Sequence, residues 1–193
     1  MFAVRADFPA IAAMLGRAFA EDPVLTYLFP DAVTRAVRLR RFFAVILRSE
    51  RDPTLTTLVE GGAAAAIWRP PGGWQTPPLT MLRLAPALIA TFATALPRAL
   101  RMQALMEAHH PKAPHWYLEF VGCDPARQGK GFGGAAIRAG LARADASGLP
   151  CALETATESN LALYRAMGFE VAEEFSAAPG LTFWGMWRPA TRT

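Results

Sequence analysis

The sequence predicts a mixed α/β (α+β) fold: a mainly antiparallel central sheet holding one parallel strand pair, flanked by helices. Two apolar segments, Trp116 to Cys123 and Cys151 to Thr155, bracket a helical stretch with Ile137, Leu141 and Ala144 on one stripe. A strand, helix, strand succession of this length implies a right-handed parallel crossover. Two hairpin signals supply the antiparallel part. Leu55 to Glu60 and Ala63 to Trp68 flank Gly61-Gly62, and Phe169 to Phe175 can pair with Leu181 to Trp187 across Ala178-Pro-Gly180.

The elements follow in order. Met1 to Val4 reads as a short strand, and Asp7 is placed to cap a helix whose apolar face carries Ile11, Leu15, Ala18 and Phe19 and which stops near Asp22-Pro23. A loop with Tyr27, Phe29 and Pro30 leads to a second helix from Thr34 to Glu50, ended by Asp52-Pro53. After the first hairpin, Pro70-Pro-Gly-Gly73 opens a long connection. Leu79 to His109 is apolar and helical in pattern, and Pro86 and Pro97 should divide it into two or three short helices over one edge of the sheet. The crossover helix is stopped by Gly148 and Pro150, and Asn160 to Met167 forms a short helix ended by Gly168. No repeat or low-complexity linker divides residues 1–193, so a single domain is expected.

Composition narrows the function classes. With 193 residues, 52% hydrophobic and 19% charged, the chain can bury a sizeable core. The formal charge of +4 comes without a basic run interleaved with aromatics, which argues against a nucleic-acid partner and suits an anionic cofactor. The densest basic cluster, Arg35, Arg38, Arg40 and Arg41, reads as a solvated helix face. The most apolar segment, Leu84 to Leu96, is shorter than the roughly 20 residues of a membrane span, so a buried helix and no membrane partner are expected. Met1-Phe-Ala-Val-Arg5 lacks the pattern of a secretory signal, and a cytoplasmic location is expected. Cys123 and Cys151 form neither a CxxC pair nor a ligand set, so neither a disulfide nor a metal is expected. Edge strands near Leu181 to Trp187 could join two subunits, leaving monomer and homodimer both open.

The most informative stretch is Cys123-Asp-Pro-Ala-Arg-Gln-Gly-Lys-Gly-Phe-Gly-Gly134, where an apolar strand ends in a glycine-rich turn that opens a helix. Such a turn lets successive backbone N–H groups point at one anion, with the helix dipole adding positive charge. A P-loop is excluded, because Asp124 stands where the first glycine is needed and Gly131 follows Lys130. A dinucleotide fingerprint does match Gly129, Gly131 and Gly134, with Glu154 where a ribose-binding acid would fall. The residues after Glu154 nevertheless read as a short helix and a hairpin, not as further βα units. An ordinary helix-start turn is the plain alternative, but four glycines, Gly129, Gly131, Gly133 and Gly134, would weaken it entropically unless something approaches closely.

The pattern that fits the whole stretch is Gln128-x-x-Gly131-x-Gly133 after a strand ending in Asp-Pro. In this the chain resembles the GCN5-related N-acetyltransferase (GNAT) superfamily. From His109 onward, through Pro111-Lys-Ala-Pro-His-Trp-Tyr-Leu118, Leu153-Glu-Thr155 and Asn160-Leu-Ala-Leu-Tyr-Arg-Ala-Met-Gly-Phe169, it is similar to the puromycin N-acetyltransferase branch. Earlier residues match mainly through Phe19-Ala-Glu-Asp-Pro23 and Ala66-Ile-Trp-Arg-Pro-Pro-Gly72. The resemblance implies a sheet splayed at the parallel pair and acetyl-CoA as co-substrate. It also implies a small-molecule primary amine as acceptor, such as an aminonucleoside or another antibiotic-like amine. A catalytically silent acyl-CoA-binding or sensor domain would share the same socket.

Acyl transfer to an amine needs a held thioester, a polarised carbonyl, a base for the amine and an acid for the leaving thiolate. The resemblance assigns the pyrophosphate to the backbone of Gln128, Gly129, Lys130, Gly131, Phe132, Gly133 and Gly134. The pantetheine arm falls to the strand Phe120, Val121 and Cys123, where a strand N–H would polarise the thioester oxygen. By the same resemblance Tyr164 is the general acid, and Asn160, four residues earlier on one helix face, binds the cofactor arm. Glu119 and Glu154 interrupt apolar strands, where an ionised carboxylate needs a partner or a task, and both are candidate bases. Glu154 matches the branch, whereas puromycin-type enzymes carry a small residue at the position of Glu119. Tyr27, Trp68 and Trp74, with His115, are candidates for an aromatic acceptor pocket. Adjacent His109 and His110 should face different ways and make no metal site.

Overall fold

A computed structural model describes residues 1–191. Helices α1 (Phe8–Ala18), α2 (Pro23–Leu28) and α3 (Ala32–Ser49) precede the hairpin β1 (Thr56–Val59) and β2 (Ala64–Arg69). Helices α4 (Pro78–Phe92) and α5 (Leu96–His109) lead to β3 (Trp116–Cys123). Then come α6 (Phe132–Ser147), β4 (Cys151–Thr155), the short α7 (Leu161–Arg165) and the hairpin β5 (Glu170–Ala178) and β6 (Leu181–Arg188). The six strands form one sheet in the order β1-β2-β3-β4-β6-β5. Every pairing is antiparallel except β3 with β4. Both predicted hairpins and the parallel crossover are present.

Period-two alternation along β2 divides the core. Ala65 and Ile67 pack with α1 and α3 through Leu15, Leu39 and Phe43, while Ala64, Ala66 and Trp68 pack with α6 through Ile137, Leu141 and Ala144. Trp68 is 2% exposed, and α6 approaches it so closely that a Cβ on Gly140 would stand 2.0 Å from the indole Nε1. Gly140→Ala should therefore destabilise the fold by about 1–3 kcal/mol, the usual range for overpacking, and by more if the indole cannot turn. Denaturant unfolding measures this; unchanged stability would mean that the indole moves freely.

Several local expectations are corrected. Met1 to Val4 makes only an isolated bridge, Phe2 to Thr57, and is not a strand. Asp7 precedes α1 without capping it, because its carboxylate accepts from the Val4 N–H behind it. The segment around Tyr27 is helix α2, since Asp22 accepts from the Val24 and Leu25 N–H groups and Pro23 suits a first turn. Arg35 and Arg38 are not solvated: Arg35 donates to the carbonyls of Phe29, Ala20 and Pro30, and Arg38 to that of Phe92. Pro86 does not break α4. It sits on the exposed side, where water can serve the carbonyl of the preceding turn, and the chain turns instead at Ala93, whose φ is 46°.

The expectation of a buried helix also fails. Pro78–His109 has a stretch of mean hydropathy 1.6, long and apolar enough by composition to cross a membrane, yet only 17% of it is buried. Apolar residues run around α4, so packing on α3 covers one side and leaves Leu79, Leu82 and Ile89 outward. Finally, β6 lies between β4 and β5 and offers no free edge. The edge on that side is β5, whose Glu170, Glu173 and Glu174 are exposed and discourage strand addition.

Candidate active site

The parallel pair touches only through Trp116 with Cys151 and Tyr117 with Ala152, after which β3 and β4 diverge. A cavity of about 270 Å³ occupies the opening. Its walls come from Phe19, Asp22 and Phe42 on the helical side, Met102 and Met106 of α5, the run Tyr117 to Val121, the run Leu153 to Ala156, and Asn160 and Tyr164. A β-bulge shapes one wall. The register passes from Ile67 opposite Phe120 to Trp68 opposite Leu118, leaving Glu119 as the extra residue of β3. A bulge re-aims its side chain, which puts this carboxylate into the cavity wall instead of the sheet face.

Charge in the wall is organised by long-range pairs. Arg69, at the end of β2, donates through Nε to Glu119 at 2.7 Å and through a terminal nitrogen to the buried Glu50 at 2.6 Å. Burial pushes the Glu119 carboxyl up, and Arg69 only partly opposes it. Glu154 has a different setting. Its cross-strand partner is Gly185, and its Oε1 lies 3.5 Å from His110 Nδ1. Its Oε2 is buried with no hydrogen-bond partner among the described residues. Burial first, then the Glu154 charge and the hydrogen bond from the phenol to the Glu154 carboxylate, hold Tyr117 well above its usual value. Tyr164 is pushed up to about 12 by burial, reinforced by the charge of Asp22, and stays a proton donor across the neutral range. The Asp22 carboxyl is itself raised by burial, despite its two N–H bonds.

The glycine turn folds as a socket at one end of β3. Gly129 and Gly131 take φ of 76° and 77°, a region that glycine enters without penalty. Gly131 is the N-cap of α6, and no side chain caps that terminus, so the first-turn N–H groups are available to an anion. A Cβ on Gly129, Gly131 or Gly133 would meet nothing, so the space beside the loop is open. These features fit the pyrophosphate of a coenzyme A. Gly131→Val should weaken acetyl-CoA binding by about tenfold or more, because a non-glycine residue in this region costs roughly 1–2 kcal/mol and the loop would reshape. Calorimetry measures it; unchanged affinity would remove the loop from the binding site.

The structure brings Glu119, Phe120, Val121, Glu154, Asn160 and Tyr164 to one cavity. Cys123, Gln128 and Lys130 lie at the socket end with the glycines, and Phe132 lies under the Arg127 guanidinium. Gly134 is different: its missing Cβ admits Met167 and Arg138, a packing role. Trp68 is corrected outright, since alternation turns it to α6, away from the cavity. Tyr27 stands outside the cavity wall, with Arg98 5.9 Å from its ring centre. His115 sits behind the wall, its Nδ1 2.6 Å from the Ala113 carbonyl oxygen and its imidazole pushed down by burial. Trp74 does line the cavity. Sequence reasoning missed Tyr117, Asp22, Glu50 and Arg69; a charged residue ending the apolar run Ala64 to Arg69 was the available signal. Among the described residues, no group of three or more His, Cys, Asp or Glu could hold a metal ion.

Comparison with known proteins agrees with this geometry. Residues 89–169 match the model of the acetyltransferase (GNAT) family. The structure of histone acetyltransferase HPA2 and related acetyltransferase from Corynebacterium glutamicum superposes with a TM-score of 0.72 at 25% identity, covering 100% of this chain and 96% of that one. The ribosomal-protein-S18-alanine N-acetyltransferase from Escherichia coli shares the fold at TM-score 0.55 and 16% identity, over 100% of this chain and 94% of that one. So does the NatC complex bound to Gag peptide and CoA, at TM-score 0.54 and 13% identity, over 99% of this chain and 97% of that one. The family match over residues 89–169, with the 25%-identical structure, supports a GNAT-type acetyltransferase domain, and the other two neighbours share its fold.

Proposed function

We propose that this protein transfers the acetyl group of acetyl-CoA to a primary amine of a small molecule. The resemblance of residues 109 onward favours an aminonucleoside or similar antibiotic-like amine. The observation that carries this reading is the cavity at the strand split, where an unpartnered buried carboxylate oxygen of Glu154 and the protonated phenol of Tyr164 share one wall. Acetyl-CoA supplies the activated acyl group. Backbone groups of Phe120 to Cys123 would hold its arm along the open edge of β3, with Asn160 opposite and the pyrophosphate in the Gln128 to Gly133 socket. Holding both reactants together removes several kcal/mol of the barrier by orientation alone.

Glu154 is assigned as the base, because it lines the cavity with no cation paired to it, only the Tyr117 phenol and the His110 ring beside its carboxylate, whereas Glu119 is occupied by Arg69. An alkylammonium with a pKa near 10 is about one part in a thousand neutral at pH 7, so a base at this point matters. Tyr164 donates a proton to the departing thiolate. The carboxylates Asp22, Glu119 and Glu154 and the Trp74 ring suit an acceptor that arrives as a cation. A sensor domain would have no use for an acid and a base in one cavity.

The test is free-thiol release from acetyl-CoA across a panel of amines. Release with at least one small amine, and formation of its acetamide by mass spectrometry, is expected. Acetyl-CoA binding with no release across the panel would overturn the catalytic reading.

A further inference from the structure

The Glu154 carboxylate is backed by a histidine that the mechanism above does not use. His110 is the C-cap of α5, and its ring is buried beneath Trp74, whose indole stacks on it at 4.0 Å between centres. The adjacent His109 points elsewhere, stacking on Phe175 and pairing with Glu173 at 2.7 Å. Around His110 stand Glu154 of β4 at 3.5 Å, Tyr117 of β3 edge-on at 4.9 Å, and His115 at 4.9 Å. Beyond Glu154 lies the carboxylate of Glu119, tied to Arg69. Of the other titratable residues in this last turn of α5, Glu107 is exposed and His109 is half-buried against β5.

Three polar atoms of this cluster, His110 Nε2, His115 Nε2 and Glu154 Oε2, are buried with no partner among the described residues. Buried polar atoms are normally paired, and three orphans in one place beside a cavity mark a site where protons or a ligand come and go. Tyr117 and His115 are poor proton acceptors here. The phenol is held protonated by burial and by Glu154, and His115 is pushed toward neutrality by burial and turned to the Ala113 carbonyl. His110 alone faces the carboxylate with a ring nitrogen.

We propose that His110 is the proton reservoir of the site, taking from Glu154 the proton that Glu154 removes from the acceptor's ammonium. The inference rests on the reading of Glu154 as the base. The steps balance: the ammonium gives H⁺ to the Glu154 carboxylate and becomes the neutral amine; the carboxylic acid then passes H⁺ to His110 Nδ1, and the imidazolium releases it to solvent after the acetamide and free thiol leave. His110 acts through Glu154 and is a positioning and relay residue, with no contact to the acceptor required.

The test compares His110→Asn with the wild type on one accepted alkylamine, at pH 7 and at pH 10. At pH 7 a deficit in kcat/KM of about a hundredfold is expected, the lower end of what a positioned proton acceptor contributes. At pH 10, where about half of the amine arrives neutral, the deficit should shrink to within about threefold. Acetyl-CoA affinity should not change. A deficit equal at both pH values, or none, overturns the proposal. Glu154→Gln run alongside separates the two claims: loss of turnover in Glu154→Gln with a normal His110→Asn sinks the relay and leaves the base. If both are normal, the base assignment falls as well. His110→Gln, read in the same way, guards against a folding defect peculiar to one variant.

Discussion

Tyr164→Phe is expected to lower turnover about 10²–10⁴-fold, the usual worth of a positioned acid, while acetyl-CoA affinity stays within a factor of about two. The separation of effects follows from the placement of the phenol. It lies on α7, 5% exposed, with its ring edge against Phe169 at 6.3 Å, and phenylalanine keeps that packing. Only the hydroxyl is lost. Burial and the Asp22 charge hold this hydroxyl at about 12, so the wild-type rate should show no downturn from its ionisation up to pH 10. Removing the Asp22 charge, as in Asp22→Asn, moves the phenol downward. Stopped-flow detection of free thiol gives the rate, and near-wild-type turnover in Tyr164→Phe would withdraw the acid from this residue.

Arg69→Met is expected to destabilise the fold by about 3–5 kcal/mol, because removing one partner of a buried ion pair leaves uncompensated charge. Here a single guanidinium, 8% exposed, serves both Glu50, 4% exposed, and Glu119, so its loss strands two carboxylates. Much of the deficit should return in the triple variant Arg69→Met, Glu50→Gln, Glu119→Gln, which removes the stranded charges. Urea unfolding of the two variants measures the difference. If the triple variant is no more stable than Arg69→Met, the network is not what holds β2, β3 and the Glu50 segment together. The same comparison bears on catalysis: triple-variant turnover near that of the wild type would leave Glu119 with a structural task only.

Features written in short stretches of sequence were legible. The turn chemistry of Gly61-Gly62 and Gly180, the crossover helix between Trp116 and Thr155, and the Gln128 to Gly133 socket each depend on neighbours within a few residues. Asn160 and Tyr164 reach one cavity because they are one helical turn apart. What failed depends on distance or on one-residue geometry. Trp68 looked like a pocket aromatic until alternation along β2 turned it to α6, against Gly140. Glu119 owes its direction to a bulge that no local pattern announces. Its Arg69 partner lies 50 positions away, and the Arg35 and Arg38 side chains serve carbonyls on other segments, which a helical wheel cannot show. Pro86 stayed within α4 because the break fell at Ala93 instead.

The central claim is that the opening between β3 and β4, with the glycine socket at its end, takes acetyl-CoA. Calorimetric titration of the purified protein with acetyl-CoA, with NADH as the control, tests this without any knowledge of the acceptor. Saturable one-site binding of acetyl-CoA, weakened in Gly131→Val and absent with NADH, is the predicted result. No heat with acetyl-CoA, or binding of NADH alone, would contradict the socket assignment and the transfer chemistry built on it.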